Sequence, residues 1–371
     1  MDEIEKHLAL WEGKNIIWIH AASLGEYEMS RPIIAALKAQ QPDLKFVISF
    51  YSPSGYQNVN LDKKDFLKIY LGLDLFSIQS HYVSIINPKA VMFIKYEFWF
   101  NFLRVLKVRR IPYYFTSLHL NDNSYLFKPF FSAFLYLLKC SAGIYCHNSA
   151  GQNTLLSQGF NNTFELGDTR INQVLQNKKV ELTIEWKSKG SQVVVFGSVL
   201  KNELPFVLEF INKNQDINFI IAPHEVNEHI LKIIARQINN EMRLYSDLKT
   251  AIKTNILLVD TIGDLKYMYN KSDLAYVGGG FDKGPHNVLE PIVFNVPTIC
   301  GPNISKFPMA QKLNHEGILH IINEKSSFHN LARQLLLQAG DDYVEISNNF
   351  IEKNKANLNI LVDDILNNYG E

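Results

Sequence analysis

Short apolar runs rich in β-branched and aromatic residues alternate along this chain with longer stretches whose apolar positions recur at helical spacing. Residues 16–20, 46–50, 90–94, 113–116 and 143–146 predict strands in a first half. Residues 193–196, 218–222, 256–259, 274–277 and 298–300 predict strands in a second. These runs are apolar throughout rather than alternating, the pattern of parallel strands covered on both faces by helices. Helical spacing lies between them, for example at 31–39, 204–211, 229–238 and 331–339. Such alternation predicts an α/β protein with two doubly wound, Rossmann-like domains. A polar, lysine-rich stretch at 172–190 is the expected hinge, which gives domains at 1–175 and 190–342. A closing helical segment at 343–371 is expected to pack back on the first domain. Two such domains facing each other across a cleft would set the C-terminal ends of their strands on the cleft walls, where ligands bind.

A chain of 371 residues is long enough for two cores. Lys+Arg and Asp+Glu both total 37, so net charge implies no nucleic-acid or other polyanion partner. Three cysteines without C-x-x-C spacing point to a reduced compartment and no zinc site. The acidic start Met-Asp-Glu-Ile-Glu-Lys lacks the apolar core of a signal peptide. No apolar run reaches the roughly 18 residues of a transmembrane helix. A cytosolic chain, at most attached to a membrane surface, is expected.

The most informative stretch is 277–291. The predicted strand Asp273-Leu-Ala-Tyr-Val277 breaks into three glycines, and Pro285-His286-Asn287 then opens a helical pattern. Strand, glycine turn around Gly279 and helix N-terminus together can aim backbone N–H groups at an anion. Glu290, a turn further on, is placed to take two ribose hydroxyls. The combination predicts a nucleotide or sugar-nucleotide site, although α/β proteins also use glycines simply to turn.

The first strand ends in His20-Ala-Ala-Ser-Leu-Gly-Glu26. A carboxylate at a helix start is stabilised by the helix dipole, stays ionised and can accept a proton. Equally, Ser23 and Glu26 have the spacing of a capping box, and spacing alone does not choose. Lys95-Tyr-Glu97-Phe-Trp-Phe falls at another strand end, where Glu97 is a candidate for chemistry and the aromatics read as core. In the second half Gly197-Ser198, Pro223-His224, the 260–264 loop with Gly263, and 278–287 all follow strands, and together they form a plausible nucleotide pocket. His224 alone reads as a loop histidine. Residues 120–138, dense in aromatic and aliphatic side chains beside Lys128 and Lys139, suit either a buried helix or a surface lying on a bilayer.

Taken together these motifs resemble the Kdo (3-deoxy-D-manno-octulosonic acid) transferases of Gram-negative lipopolysaccharide synthesis, from about Ile16 to the C-terminus. The resemblance rests on H-A-A-S-L-G-E at 20–26, Glu97-Phe-Trp99, Gly167-Asp-Thr-Arg170, Gly263 and G-P-H-N-V-L-E-P at 284–291. It implies a GT-B fold, a first domain that binds the acceptor and a second that binds the nucleotide sugar. It also implies a CMP-Kdo donor, a lipid A precursor as acceptor, inversion at the anomeric carbon, and no metal or cofactor. Glu26 matches the family's general base and Glu97 its second carboxylate, while His286, Asn287 and Glu290 match the donor-side motif. Arg31, Lys95 and Lys283 are candidates for the donor's carboxylate or phosphate. Several positions depart from the pattern. E-T-E-x-W-P reads Lys95-Tyr-Glu-Phe-Trp-Phe, the P-R-H loop lacks its Arg at Pro223-His224-Glu225, and the final Asp of G-N-x-K-x-D is Asn172. The family's usual N-terminal membrane helix is missing, so attachment to the cytoplasmic face of the inner membrane is expected to be peripheral. The rival readings are a GT-B transferase or epimerase using a UDP-sugar and a two-domain sugar-binding protein.

Overall fold

The computed structural model of the chain describes residues 2–118, 120, 123–178, 192–247, 254–338 and 340–368. Two compact units are present, Met1–Gln173 with Asn354–Glu371, and Val174–Lys353. In the first, β1 (Ile16–His20), β2 (Lys45–Phe50), β3 (Phe66–Tyr70), β4 (Ala90–Ile94), β5 (Tyr113–Leu118), β6 (Gly143–Cys146) and β7 (Thr163–Glu165) form one sheet. Their order is β3-β2-β1-β4-β5-β6-β7, all parallel. Its helices are α1 (Asp2–Ala9), α2 (Leu24–Gln40), α3 (Pro53–Asn58), α4 (Phe76–Ile86), α5 (Phe100–Val108), α6 (Ser132–Lys139) and α7 (Ser149–Ser157). The division between the units falls inside α8 (Thr169–Lys178).

The second sheet contains β8 (Val193–Val199), β9 (Asn218–Pro223), β10 (Met242–Leu244), β11 (Ile256–Leu258), β12 (Leu274–Val277), β13 (Thr298–Cys300) and β14 (Leu319–Ile321). It is also parallel throughout, in the order β10-β11-β9-β8-β12-β13-β14. Around it lie α9 (Leu204–Lys213), α10 (Glu228–Gln237), α11 (Leu265–Met268), α12 (Leu289–Val293), α13 (Pro308–His315), α14 (Phe328–Gln338) and α15 (Asp341–Asn354). The last helix, α16 (Leu358–Asn368), returns to the first unit.

Both faces of each sheet are covered, which is why the central strands read as unbroken apolar runs. On β1, Trp18 packs with Phe93, Phe102 and Phe115 on one face. Ile17 and Ile19 pack on the other with Ile33 and Leu37 of α2 and Leu361, Val362 and Ile365 of α16. The expected α/β architecture of two doubly wound domains is therefore present. The expectation for 343–371 needs dividing, because α15 stays with the second unit and α16 packs in the first. Tyr343 accounts for the first part, its hydroxyl lying 3.0 Å from the carbonyls of Val296 and Ile318. Of the expected hinge, 172–178 is helical and 179–190 lies outside the described residues.

Strand order reverses between β1 and β4 and again between β8 and β12, so each sheet has one switch point where a crevice opens above the strand ends. At the second of these, Glu203 is fully buried at the start of α9. Its carboxylate accepts from the N–H of Leu200 (2.9 Å), the N–H of Gly279 (3.0 and 3.1 Å) and the hydroxyl of Tyr276 (2.8 Å). It thereby ties the end of β8 to the glycine turn after β12. Gly278 has to be glycine there, since a Cβ would stand 2.3 Å from the Ser198 carbonyl oxygen and 2.7 Å from Glu203. Replacing Glu203 with Leu strands these donors in an apolar interior. We expect a loss of about 3 kcal/mol or more, read from urea unfolding. A change below about 1 kcal/mol would show that the tie is dispensable.

Candidate functional site

At the switch point of the first sheet, the chain leaves β1 through Ala21 and Ala22 and enters α2 at Ser23. Ser23 is the N-cap, and the capping box is complete, with Glu26 Oε2 accepting the Ser23 N–H at 3.0 Å. The capping reading of Glu26 is thus correct. It does not displace the chemical one, because the cap engages Oε2 and leaves Oε1 without a partner among the described residues. After β4 the chain turns at Lys95, which takes a left-handed φ of 62°. Strained backbone of this kind concentrates at functional loops. Glu97 follows, and its Oε2 accepts from the ring N–H groups of His20 (Nε2, 3.1 Å) and Trp99 (Nε1, 2.9 Å). Its Oε1 also has no partner among the described residues. Trp99, read from sequence as core, is partly that and partly the donor that fixes Glu97.

The two carboxylates feel each other. Burial first, and then the charge of Glu97, push the Glu26 carboxyl above its ordinary range, against the Ser23 hydrogen bonds and Lys95. Burial also opposes ionisation of Glu97, but the hydrogen bonds from His20 and Trp99 outweigh it and hold that group low. One acid is therefore kept ionised while its neighbour has raised proton affinity, the separation of roles expected of a working pair.

The basic candidates separate. Arg31 is engaged one turn along α2, where Nη1 donates to Glu28 at 3.0 Å. The Gln173 amide, oriented to satisfy both its groups, donates to the Glu28 carbonyl and accepts from Arg31. Lys95 stays near enough to Glu26 to oppose the rise in its proton affinity. Sequence reasoning did not single out Arg170 as a site residue. Its half-exposed guanidinium is bracketed by buried Asp168, with Nε at 3.0 and 3.1 Å and Nη2 at 2.6 Å, close to His147. Asn172, which stands where the family pattern has Asp, donates to the Ala356 carbonyl (3.0 Å) and accepts its N–H (2.7 Å). A carboxylate has no hydrogen to give there, so this departure anchors the C-terminal segment.

In the second unit the glycine turn follows the buried strand β12 as expected, and Gly279 takes a φ of 94°. The expected helix start at Pro285 is a correction. The helix α12 begins at Leu289 and is five residues long. The Gly284 and His286 N–H groups close the turn on Gly279 O and Gly278 O, both at 3.0 Å, instead of pointing outward. What the turn presents is side chains. His286 stacks on exposed His224 with ring centroids 4.3 Å apart, and burial followed by His224 lowers its proton affinity. Asn287 Nδ2 donates to Glu290 Oε1 at 3.0 Å. Ser198 and Pro223, expected in loops, are the penultimate residue of β8 and the last of β9, with a register break at Gly197/Val199 and a left-handed Ser198 (φ 53°). Gly263 lies exposed after β11, two strands from β8, in a loop whose Asp260 and Asp264 are engaged by Ser246 and Thr261. Lys283 is exposed on the turn.

Residues 2–173 match the sequence model of the family described as 3-deoxy-D-manno-octulosonic-acid transferase (kdotransferase). The chain is 26% identical over 340 residues to the 3-deoxy-D-manno-octulosonic acid transferase of Haemophilus influenzae, covering 86% of this chain and 79% of that protein. It is 28% identical over 323 residues to the transferase of the same name from Chlamydia muridarum, covering 81% and 73%. Among solved structures, a UDP-GlcNAc 2-epimerase from Neisseria meningitidis superposes with a TM-score of 0.64 at 16% identity, covering 95% of this chain and all of that one, which shows the GT-B type of fold. The match of its first domain and these similarities over most of its length make the Kdo transferases the family this chain resembles in sequence.

Proposed function

We propose that the chain moves Kdo from CMP-Kdo onto a lipid A precursor (lipid IVA), with inversion, at the cytoplasmic face of the inner membrane. The observation that carries the reading is the pair Glu26 and Glu97 at the β1/β4 switch point, each held by one oxygen. In this reaction an acceptor hydroxyl attacks the anomeric carbon of Kdo and its proton passes to Glu26. The bond from that carbon to the phosphate oxygen breaks, and CMP leaves with the electron pair. A single displacement of this kind inverts the centre. Glu97 positions the acceptor or the base. In the second unit His224, His286, Asn287 and Glu290 are the proposed contacts to CMP.

The UDP-sugar alternative draws on the epimerase fold match alone, whereas the sequence similarities are to Kdo transferases. Contact with the membrane is proposed through α5 and α6. A groove of about 280 Å³ there is lined by Phe100, Val108, Ala133 and Leu137, with Arg104 and Lys107 alongside. Phe130, Val108 and Tyr136 are exposed by 91%, 71% and 58%, and Arg109, Lys128 and Lys139 lie exposed nearby on the same helices and the turn before α6. Apolar side chains ringed by cations suit an anionic lipid surface. No described helix is long and apolar enough to cross a membrane.

With a CMP-Kdo-generating system and lipid IVA, mass spectrometry of the lipid should show added Kdo. Glu26→Ala should lose about a hundredfold or more of that rate while CMP affinity stays within a few-fold, and normal turnover in this variant would refute the assignment. CMP at about a hundredfold excess over its Kd should stabilise the protein by about 2.7 kcal/mol in thermal unfolding, and UDP should not. The reverse preference favours the UDP-sugar reading. The chain should cosediment with phosphatidylglycerol-containing vesicles and not with pure phosphatidylcholine, and Arg104→Glu with Lys107→Glu should weaken this. Undiminished binding by that double variant removes α5–α6 as the contact face.

A further inference from the structure

Three buried side chains stand in line behind Glu97. The Trp18 indole N–H donates to Ser49 Oγ at 2.8 Å, Ser49 Oγ lies 2.9 Å from His20 Nδ1, and His20 Nε2 lies 3.1 Å from Glu97 Oε2. Trp18, His20 and Ser49 are all fully buried. Indole N–H can only donate, so Ser49 Oγ is an acceptor there and has its own hydrogen to place. The acceptor within reach is His20 Nδ1. That leaves the imidazole hydrogen on Nε2, facing a carboxylate that can only accept. With this assignment every group in the line is satisfied. In the opposite tautomer, Nδ1–H would face a hydroxyl already receiving the indole, and a bare Nε2 would face Glu97.

We propose that His20, set in one tautomer by Ser49 and Trp18, is a positioning residue that orients Glu97 and holds it as a carboxylate with Oε1 free. The inference rests on the transfer reaction proposed above and deepens it, since His20 meets Glu97 and not the substrate. Its ring is wedged edge-on against Trp99 and Phe93, with centroids 5.2 and 6.1 Å away, so the donor is rigid. Among the described residues, His20 on β1 and Glu26 on α2 interact with Glu97, and Lys95 on its own loop acts on Glu26. His20 and Trp99 supply the hydrogen bonds that keep Glu97 ionised against its burial. Loss of the His20 donor therefore moves Glu97 protonation to higher pH.

The test compares His20→Phe, which keeps ring shape but donates nothing, with His20→Gln, whose amide offers a donor near Nε2 and an acceptor for Ser49. The Glu97 carboxyl carbon is followed by NMR in glutamate-labelled protein, with its resonance assigned by its loss in Glu97→Gln. Glu97 should titrate at higher pH in His20→Phe and near the unaltered position in His20→Gln. In transfer assays His20→Phe should lower kcat about ten- to a hundredfold, with donor KM within about twofold and the acid limb of the pH–rate profile displaced upward. His20→Gln should recover most of the rate. A Glu97 titration unmoved in folded His20→Phe overturns the proposal, as does a rate loss equal at every pH. If His20→Phe fails to fold, Ser49→Ala carries the test, with a smaller movement in the same direction expected and none overturning it. Absence of transfer by the unaltered chain would sink the proposed reaction, while the Glu97 titration would still decide the role of His20.

Discussion

Pairing of β1 with β4 and of β8 with β12 brings together strand ends whose onward connections depart to opposite sides of the sheet. No crossover helix can cover the crevice above such a pair, which leaves room for polar groups there while the strands beneath are fully buried. In the first unit this crevice receives Glu26 and Glu97. In the second it receives the glycine turn and the Glu203 tie. The layers below are dense enough to hold short loops in place, including the left-handed Lys95 and Ser198.

How far the sequence could be read follows from this layering. The ten strands anticipated from apolar runs are those with two neighbours in their sheet. The four not anticipated are β3, β7, β10 and β14, the edges of the two sheets. An edge strand pairs on one side and is partly exposed, as at Phe164 and Glu165 in β7, so it lacks the continuous apolar signature. Glu26 and Glu97 were legible because an acidic residue just past an apolar run is conspicuous. Glu203 was not, since a carboxylate beside a helix start ordinarily reads as a cap, and its burial comes from residues 73 and 76 positions away. Arg170 and Asp168 were legible only as part of a family motif, because what distinguishes them is a bidentate geometry that spacing does not reveal.

The glycine turn shows the opposite error. Three glycines before a Pro-His-Asn segment suggested a helix N-terminus with open amides, yet the turn closes on itself and the helix starts later. Glycine lets the backbone pass close to Ser198 and Glu203, which is a packing demand and not a ligand demand. What the turn offers for the proposed recognition is side chains, the stacked His224 and His286 and the Asn287–Glu290 pair. A similar shift from pattern to packing explains Asn172, where a group able both to donate and to accept is needed to clamp Ala356.

Register links the core to the chemistry in the first unit. The pairing of β1 with β2 sets His20 opposite Ser49 and Trp18 opposite Val47. That register is selected by apolar side chains, with Ile17, Ile19, Phe46 and Ile48 sharing one face against α2. Slipping β2 by one residue would turn its apolar set over and bring Ile48 or Phe50 opposite His20. Nδ1 would then lose its hydroxyl, Trp18 its acceptor, and Glu97 a donor held in one tautomer. Packing on the far face of the sheet therefore determines whether a carboxylate on the near face is oriented. Such coupling costs little in stability, because the polar line is fully satisfied within the buried layer. It also means that a change in the α2-facing core can alter the site without touching any residue in it.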